Sequence, residues 1–320
     1  MPKGDVFDSQ NYISRHVDQD GYNSLTHGEW HGGKTDATGK PYDVSSTNLD
    51  DTMTFTGLVE NSQIETGDAA NKAWGNDTVT VTGQVKSSNI ISGKGNDAIT
   101  VNGSVSESKL SAGAGTKPVP GNIDKSVAGQ TSGAYYGVLN SSVYATEEGT
   151  KAGTGTVRVN SNDATADFSG VVASGAGKTT TLQATDIEVN LNGKSATGVL
   201  ATGGGVNSVN AVNNASVNVT GVDSATGLKA DTGSTNSVNA KNASVTATAG
   251  ATGTSTAVSS AGATTISADK VEITAKDGLN NYGLDTTGTT TIGSVGTAVD
   301  LTITAATGGS SPRNRGAGCS

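Results

Sequence analysis

Three short runs set carboxylates and amides at recurring points of the chain. Asp51 stands in Asp50-Asp51-Thr52-Met53, Asp77 in Trp74-Gly75-Asn76-Asp77-Thr78-Val79, and Asp97 in Gly93-Lys94-Gly95-Asn96-Asp97-Ala98-Ile99. Asp77 and Asp97 are 20 residues apart, and Asp51 lies 26 residues before Asp77. Hard oxygen ligands on glycine-bearing turns suit calcium. Asp51, Gly75, Asn76, Asp77, Gly93, Gly95, Asn96 and Asp97 therefore form a candidate metal site, with calcium as the cofactor. The same residues are also good turn formers, because Asn and Asp tolerate tight backbone angles. Both readings stay open on the sequence.

Other runs carry less. His27-Gly28-Glu29-Trp30-His31 alternates three metal-ligand side chains, but no fourth ligand can be named for them. Asp18-Gln19-Asp20-Gly21 lacks the third acid and terminal Glu of a calcium loop and reads as a turn. Gly175-Ala176-Gly177-Lys178-Thr179 ends like a phosphate loop. Val172 stands where that pattern needs its first glycine, and the residues that follow are strand-like, whereas a phosphate cradle opens a helix. Asp163, Asp167, Asp186, Glu188, Asp223 and Asp231 are isolated carboxylates, and Arg158 is the sole arginine of residues 133–306. Asp186 and Glu188 share a strand face, yet no acid–base pair with a neighbouring cation can be assembled. An enzyme is not expected.

The elements that must position these residues are repeats. After each Gly-Asn-Asp comes a β-branched alternation, Val79 and Val81, then Ile99 and Val101, preceded by Met53 and Phe55 behind Asp51. Then follow Gly57-Leu58-Val59, Gly83-Gln84-Val85 and Gly103-Ser104-Val105, and after them Ser62-Gln63-Ile64, Ser88-Asn89-Ile90 and Ser108-Lys109-Leu110. Looping out residues 69–74 absorbs the longer first interval. A second repeat of about 28 residues is marked by Gly170-Val171-Val172-Ala173, Gly198-Val199-Leu200-Ala201, Gly227-Leu228-Lys229-Ala230 and Gly283-Leu284-Asp285-Thr286, with a weaker copy at Ala257-Val258-Ser259-Ser260. Asn207-Ser208-Val209-Asn210-Ala211 recurs from Asn236 to Ala240, and Thr264-Thr265-Ile266 recurs from Thr290 to Ile292.

Periods of this length mean one winding stacked on the next, none able to bury its apolar face alone. The fold class expected is all-β: a right-handed parallel β-helix or β-solenoid forming a single elongated rod, with the hand taken from the crossover rule. Val79 and Ile99, and likewise Val199 and Leu228, must then be axial neighbours. Four segments follow: a non-repeating cap or lead-in over 1–45, a short-winding solenoid over 46–118, a long-winding β-helix over 119–309, and a tail foreign to the repeats over 310–320.

Composition agrees with a narrow interior. Apolar residues make up 33% of the 320, aromatic residues 4%, and glycine fills 45 positions, so the roughly 45–50% apolar content of an ordinary domain is reached only through glycine and alanine. Disorder shares this composition but not the regular alternation. A net charge of −9 and few arginines leave no basic stripe for nucleic acid. Cys319 is the only cysteine, so no disulfide forms within the chain. No apolar run is long enough to span a membrane. The opening Met1-Pro2-Lys3-Gly4-Asp5 lacks the apolar stretch of a secretory signal.

The run from Gly93 to Ile99 resembles the repeats-in-toxin nonapeptide, with Ser92 in place of its first glycine, over about 70 residues of chain. That resemblance implies calcium bound between successive windings. Tyr136-Gly137-Val138, Thr197-Gly198-Val199-Leu200-Ala201 with Gly203-Gly204-Gly205, and Tyr282-Gly283-Leu284 are similar to the passenger segments of autotransporter adhesins, over about half the chain. That resemblance implies a parallel β-helix and an extracellular or cell-surface location. The function expected is a non-catalytic structural or adhesive β-solenoid, part of a larger bacterial adhesin or passenger. Its expected partners are a host or bacterial cell surface, through glycan or protein, with end-to-end self-association of rods as a further contact. Alternatives are a polysaccharide-degrading β-helix enzyme, a phage fibre, or an ice-binding rod.

Overall fold

A computed structural model describes residues 24–27, 30–31, 43–44, 52–66, 76–92, 97–112, 122–123, 135–145, 155–293, 298–306 and 315–316. Every strand pairing among them is parallel, and the strands stack winding upon winding into a β-solenoid. Each winding visits three sheet faces in the same order. Face A begins with Ser24–His27, Thr52–Phe55, Thr78–Val81 and Ala98–Val101. Face B begins with Trp30–His31, Val59–Glu60, Val85–Lys86 and Val105–Ser106. Face C begins with Asp43–Val44, Gln63–Thr66, Asn89–Ser92 and Lys109–Ala112. Three strands inside residues 24–44 thus take the A, B, C order although their sequence shows no repeat.

Register follows the β-branched alternation. Val79 pairs with Ile99, and Val199 with Leu228, as the repeats require. On face B an unbroken column runs Val59, Val85, Val105, Val138, Val171, Val199, Leu228, Val258, Leu284. On face C another runs Ile64, Ile90, Leu110, Val143, Leu182, Val209, Val238, Ile266. All but Leu284 are at most 1% exposed. Each such side chain contributes about 1.5–3 kcal/mol of burial, so the core is a set of axial columns with no central layer.

Winding length changes along the chain while faces B and C stay continuous. Val105 pairs with Val85 below and Val138 above, register steps of 20 and 33 residues. Face A is interrupted: the four-stranded sheet ending at Ala98–Val101 is separate from the sheet that resumes with Asn122–Ile123 and Thr156–Asp163. Beyond it, Thr179–Thr202 and Val206–Ala230 each run round all three faces as continuous strands, with register breaks between Ala184 and Asp186 and between Gly193 and Ser195. The phosphate-loop look-alike falls in the turn before Thr179, and a strand follows it.

Glycine is required where windings approach too closely for a side chain. A Cβ on Gly103 would lie 2.5 Å from the Gly83 carbonyl oxygen. One on Gly198 would lie 2.3 Å from Val217 Cγ1 and 2.6 Å from the Gly227 oxygen. The long-repeat glycines Gly170, Gly198 and Gly227 are therefore close-approach positions on face B. Among the described residues no helix is long and apolar enough to cross a membrane.

Candidate functional site: the Gly-Asn-Asp corners

Asp77 and Asp97 occupy the entry to face A, directly before Thr78–Val81 and Ala98–Val101. Asp97 is fully buried and Asp77 is 3% exposed, whereas Asn76 is exposed. Asp97 Oδ1 accepts the Asp77 backbone N–H at 2.9 Å, and the Ala98 N–H donates to the Asp77 carbonyl at 2.7 Å. Asp97 thus reaches back one winding and satisfies a buried corner donor, and the two acids stand on an axial line with a rise of about 4.8 Å per winding. Asp51, Gly75, Gly93, Gly95 and Asn96 lie outside the described residues. Among the described residues no three His, Cys, Asp or Glu side chains converge. Of the candidate metal site, the described residues show two carboxylates, Asp77 and Asp97, where calcium takes six to eight oxygens. His27 ends strand Ser24–His27 on face A, and His31 ends strand Trp30–His31 on face B.

A second polar column occupies the corner between faces B and C. Backbone N–H groups of Ser62, Ser88 and Ser108 donate to the hydroxyls of Ser88, Ser108 and Ser141, at 3.1, 3.0 and 3.0 Å. The hydroxyls of Ser62, Ser88, Ser108 and Ser141 in turn donate to the carbonyl two residues before each of them. This works because the preceding residue turns left-handed: φ is 50° at Asn61, 48° at Ser87, 49° at Glu107 and 48° at Asn140. Asn adopts this region readily; Ser and Glu do so at a cost. The repeat alignment exposes the serines, but nothing in Ser87 or Glu107 announces the left-handed turn, so the role of the hydroxyls was not legible.

In the long windings the same corner bulges outward, yet its clamp persists. Thr180 donates its hydroxyl hydrogen to the carbonyl of Val172, eight residues back, and Asn236 its amide hydrogen to that of Lys229, seven back. Between them Asn207, fully buried, donates to Asn236 Oδ1 at 2.9 Å.

Where the two winding lengths meet, a clasp spans three levels. Asn140 Oδ1 accepts the Ser174 N–H at 2.8 Å, and Asn140 Nδ2 donates to Glu107 Oε1 at 2.9 Å and to the Ser174 carbonyl at 3.2 Å. Lys178 Nζ reaches Glu107 Oε2 at 2.9 Å. The hydrogen bond from Lys178, seconded by that from Asn140, holds the Glu107 carboxyl below its ordinary value.

The outer surface is laced by carboxamides. On face A, Asn218 donates to Asn190 at 3.0 Å, Asn190 to Asn160 at 3.3 Å, and Asn192 to Asn162 at 2.9 Å. Asn242 donates to Asn214 at 3.0 Å and Asn214 to Asp186 at 2.7 Å. Arg158 grips Glu188 through Nε at 2.8 Å and Nη2 at 3.3 Å. The two acids that share this strand face are therefore engaged, one by an arginine and one by an amide ladder. No protein-family model, curated protein or solved structure matches the chain.

Proposed function

We propose that the chain is a non-catalytic structural and adhesive β-solenoid module, displayed extracellularly or at the bacterial surface as part of a larger adhesin or passenger. The observation that carries this reading is the sameness of the windings. Faces B and C repeat one apolar column each from Val59 to Leu284 and from Ile64 to Ile266, and the outer surface is tied into hydrogen-bonded Asn and Ser rows. Such a chain supplies length, rigidity and a repeated surface, which suits display and multivalent contact. The Gly-Val and Gly-Leu likeness to autotransporter passengers supports the surface location.

The test is adhesion. Beads coated with the 320-residue chain are expected to attach to cells above the level of albumin-coated beads, and attachment equal to albumin overturns the adhesive role. Release of reducing ends from polygalacturonate or alginate would overturn the non-catalytic part of the reading. Calcium belongs to the same proposal, through the stacked carboxylates of Asp77 and Asp97. Titration with calcium chloride is expected to release or absorb heat and to raise Tm. No heat and an unchanged Tm sink the metal while leaving the scaffold intact.

A further inference from the structure

Face C of the long windings carries no charge. Its strands, residues 179–184 and 206–211 with Thr235–Asn239, Ala263–Ser267 and Thr289–Ile292, contain no acidic or basic residue, in a molecule of net charge −9. Face A of the same windings carries Arg158, Asp186, Glu188, Lys270 and Glu272, and face B carries Lys229 and Asp285. Outward on face C, Thr181, Ser208, Ser237, Thr265 and Thr291 stack in register as an unbroken hydroxyl row. Beside it Asn239 donates to Asn210 at 2.8 Å and to Ser237 Oγ at 3.2 Å, and Asn210 donates to Ser208 Oγ at 2.9 Å. These side chains are half-buried, and Ser208, Asn210, Ser237 and Asn239 are already held in place by hydrogen bonds, so a ligand has little rotamer freedom left to freeze on those four. The exposed Val206 adds an apolar spot, 39% accessible, at one margin.

We propose that this face binds an uncharged polysaccharide; the inference rests on the adhesive reading and names the partner of that surface. Charge selects the class. A polyanion gains nothing from an uncharged sheet on an acidic molecule, and a polycation finds its carboxylates on the other faces. Area selects against a second copy of the chain. Five strands about 4.8 Å apart, each about five residues of 3.3 Å, give on the order of 400 Å², about half of the roughly 800 Å² per partner that a stable pair of proteins buries. A polymer needs no such single area. It meets the same hydroxyl and amide pattern at every winding and gains by repetition.

The full chain is tested by co-sedimentation with insoluble cellulose, chitin and starch, and by affinity electrophoresis in polygalacturonate and alginate. Retention by at least one neutral polymer is expected, weakened at least tenfold in Ser237→Lys with Thr265→Lys. The face A pair Ser216→Lys with Ser244→Lys is expected to bind as the parent does. Should the lysine pair fail to fold by circular dichroism, Ser208→Ala with Ser237→Ala removes the hydroxyls without adding volume and is expected to weaken retention severalfold. Retention by no neutral polymer, retention indifferent to the face C variants, or preference for the anionic polymers overturns the proposal. So does a dimer in sedimentation velocity that the lysine pair abolishes, which assigns the face to a second copy. Cell adhesion that survives the lysine pair removes this inference and leaves the adhesive role standing. Polymer binding without cell adhesion does the reverse.

Discussion

In the short windings the corner between faces B and C is one left-handed residue and one serine; in the long windings the same corner loops out before Thr180, Asn207 and Asn236 close it. The strands on either side do not notice. Ile90, Leu110 and Val143 stay in one face C column across the change, and Val85, Val105 and Val138 in one face B column. Winding length is therefore a property of corners and of the interrupted face A, while register belongs to the apolar columns of B and C. A one-residue slip would turn every buried valine outward, whereas extra residues in a corner only lengthen a surface loop, at a closure cost of about 0.6 kcal/mol per doubling of length. Two repeat lengths can then coexist in one continuous stack.

If the columns couple the two regions, damage beside the junction must be felt on both sides. Leu110→Ala removes a fully buried side chain between Ile90 and Val143 and is expected to cost about 2–5 kcal/mol. Hydrogen exchange read by mass spectrometry should show protection falling in 179–202 as well as in 89–92, because nearest-neighbour interfaces carry a solenoid's stability. Loss confined to the short windings would make the regions two separate units. Gly198→Ala tests the long windings alone. Its Cβ would meet Val217 Cγ1 at 2.3 Å, and overpacking of this kind costs about 1–3 kcal/mol. Urea unfolding that leaves the midpoint of G198A unchanged would show that the glycine column is not a packing requirement.

The columns were legible because strand periodicity writes them directly. Val79 over Ile99 and Val199 over Leu228 follow from counting, and so do the Asn207 and Asn236 strands. The corners were not legible. A turn is chosen by backbone angles that several residue types tolerate, so Ser87 and Glu107 hide the same left-handed bend that Asn61 and Asn140 advertise. The clasp was further out of reach, because Glu107 and Lys178 are 71 residues apart and meet only after a loop folds back. The strands at Ser24–His27 and Trp30–His31 were hidden for another reason: they pair through backbone, and backbone pairing asks little of sequence at the first winding. At the Gly-Asn-Asp corner the spacing of Asp77 and Asp97 placed both acids on one axial line. That Asp97 spends an oxygen on the Asp77 backbone N–H could not be read from spacing.

Smaller effects are expected at the corners themselves. Ser108→Ala takes away the hydroxyl that receives the Ser88 N–H and caps the Ser106 carbonyl. A buried donor left alone costs about 1–3 kcal/mol, so thermal unfolding should show a clear drop in Tm. Ser108→Thr, which keeps the hydroxyl, is expected to recover much of it, and equal Tm values for the alanine and threonine variants would show that the serine column contributes shape and not hydrogen bonds.

The clasp is expected to have the mildest effect. Glu107 is held below the ordinary carboxylate value of 4.5 in the folded chain, first by the Lys178 hydrogen bond and then by that of Asn140. A depressed folded value means stability that is present in full above the unfolded value and is lost as pH falls through the folded one. Glu107 and Lys178 are each about half exposed, at 42% and 50%, so solvent screening limits the pair to about 0–1 kcal/mol. Glu107→Gln should therefore lower Tm slightly at pH 7 and not at all once pH is well below 4.5, with the gap at pH 7 narrowing in high salt. A gap that persists in acid, where both side chains are uncharged, would assign the effect to how the carboxyl and the carboxamide hydrogen-bond to Asn140 and Lys178, and the charge at this corner would then have no part in joining the short windings to the long.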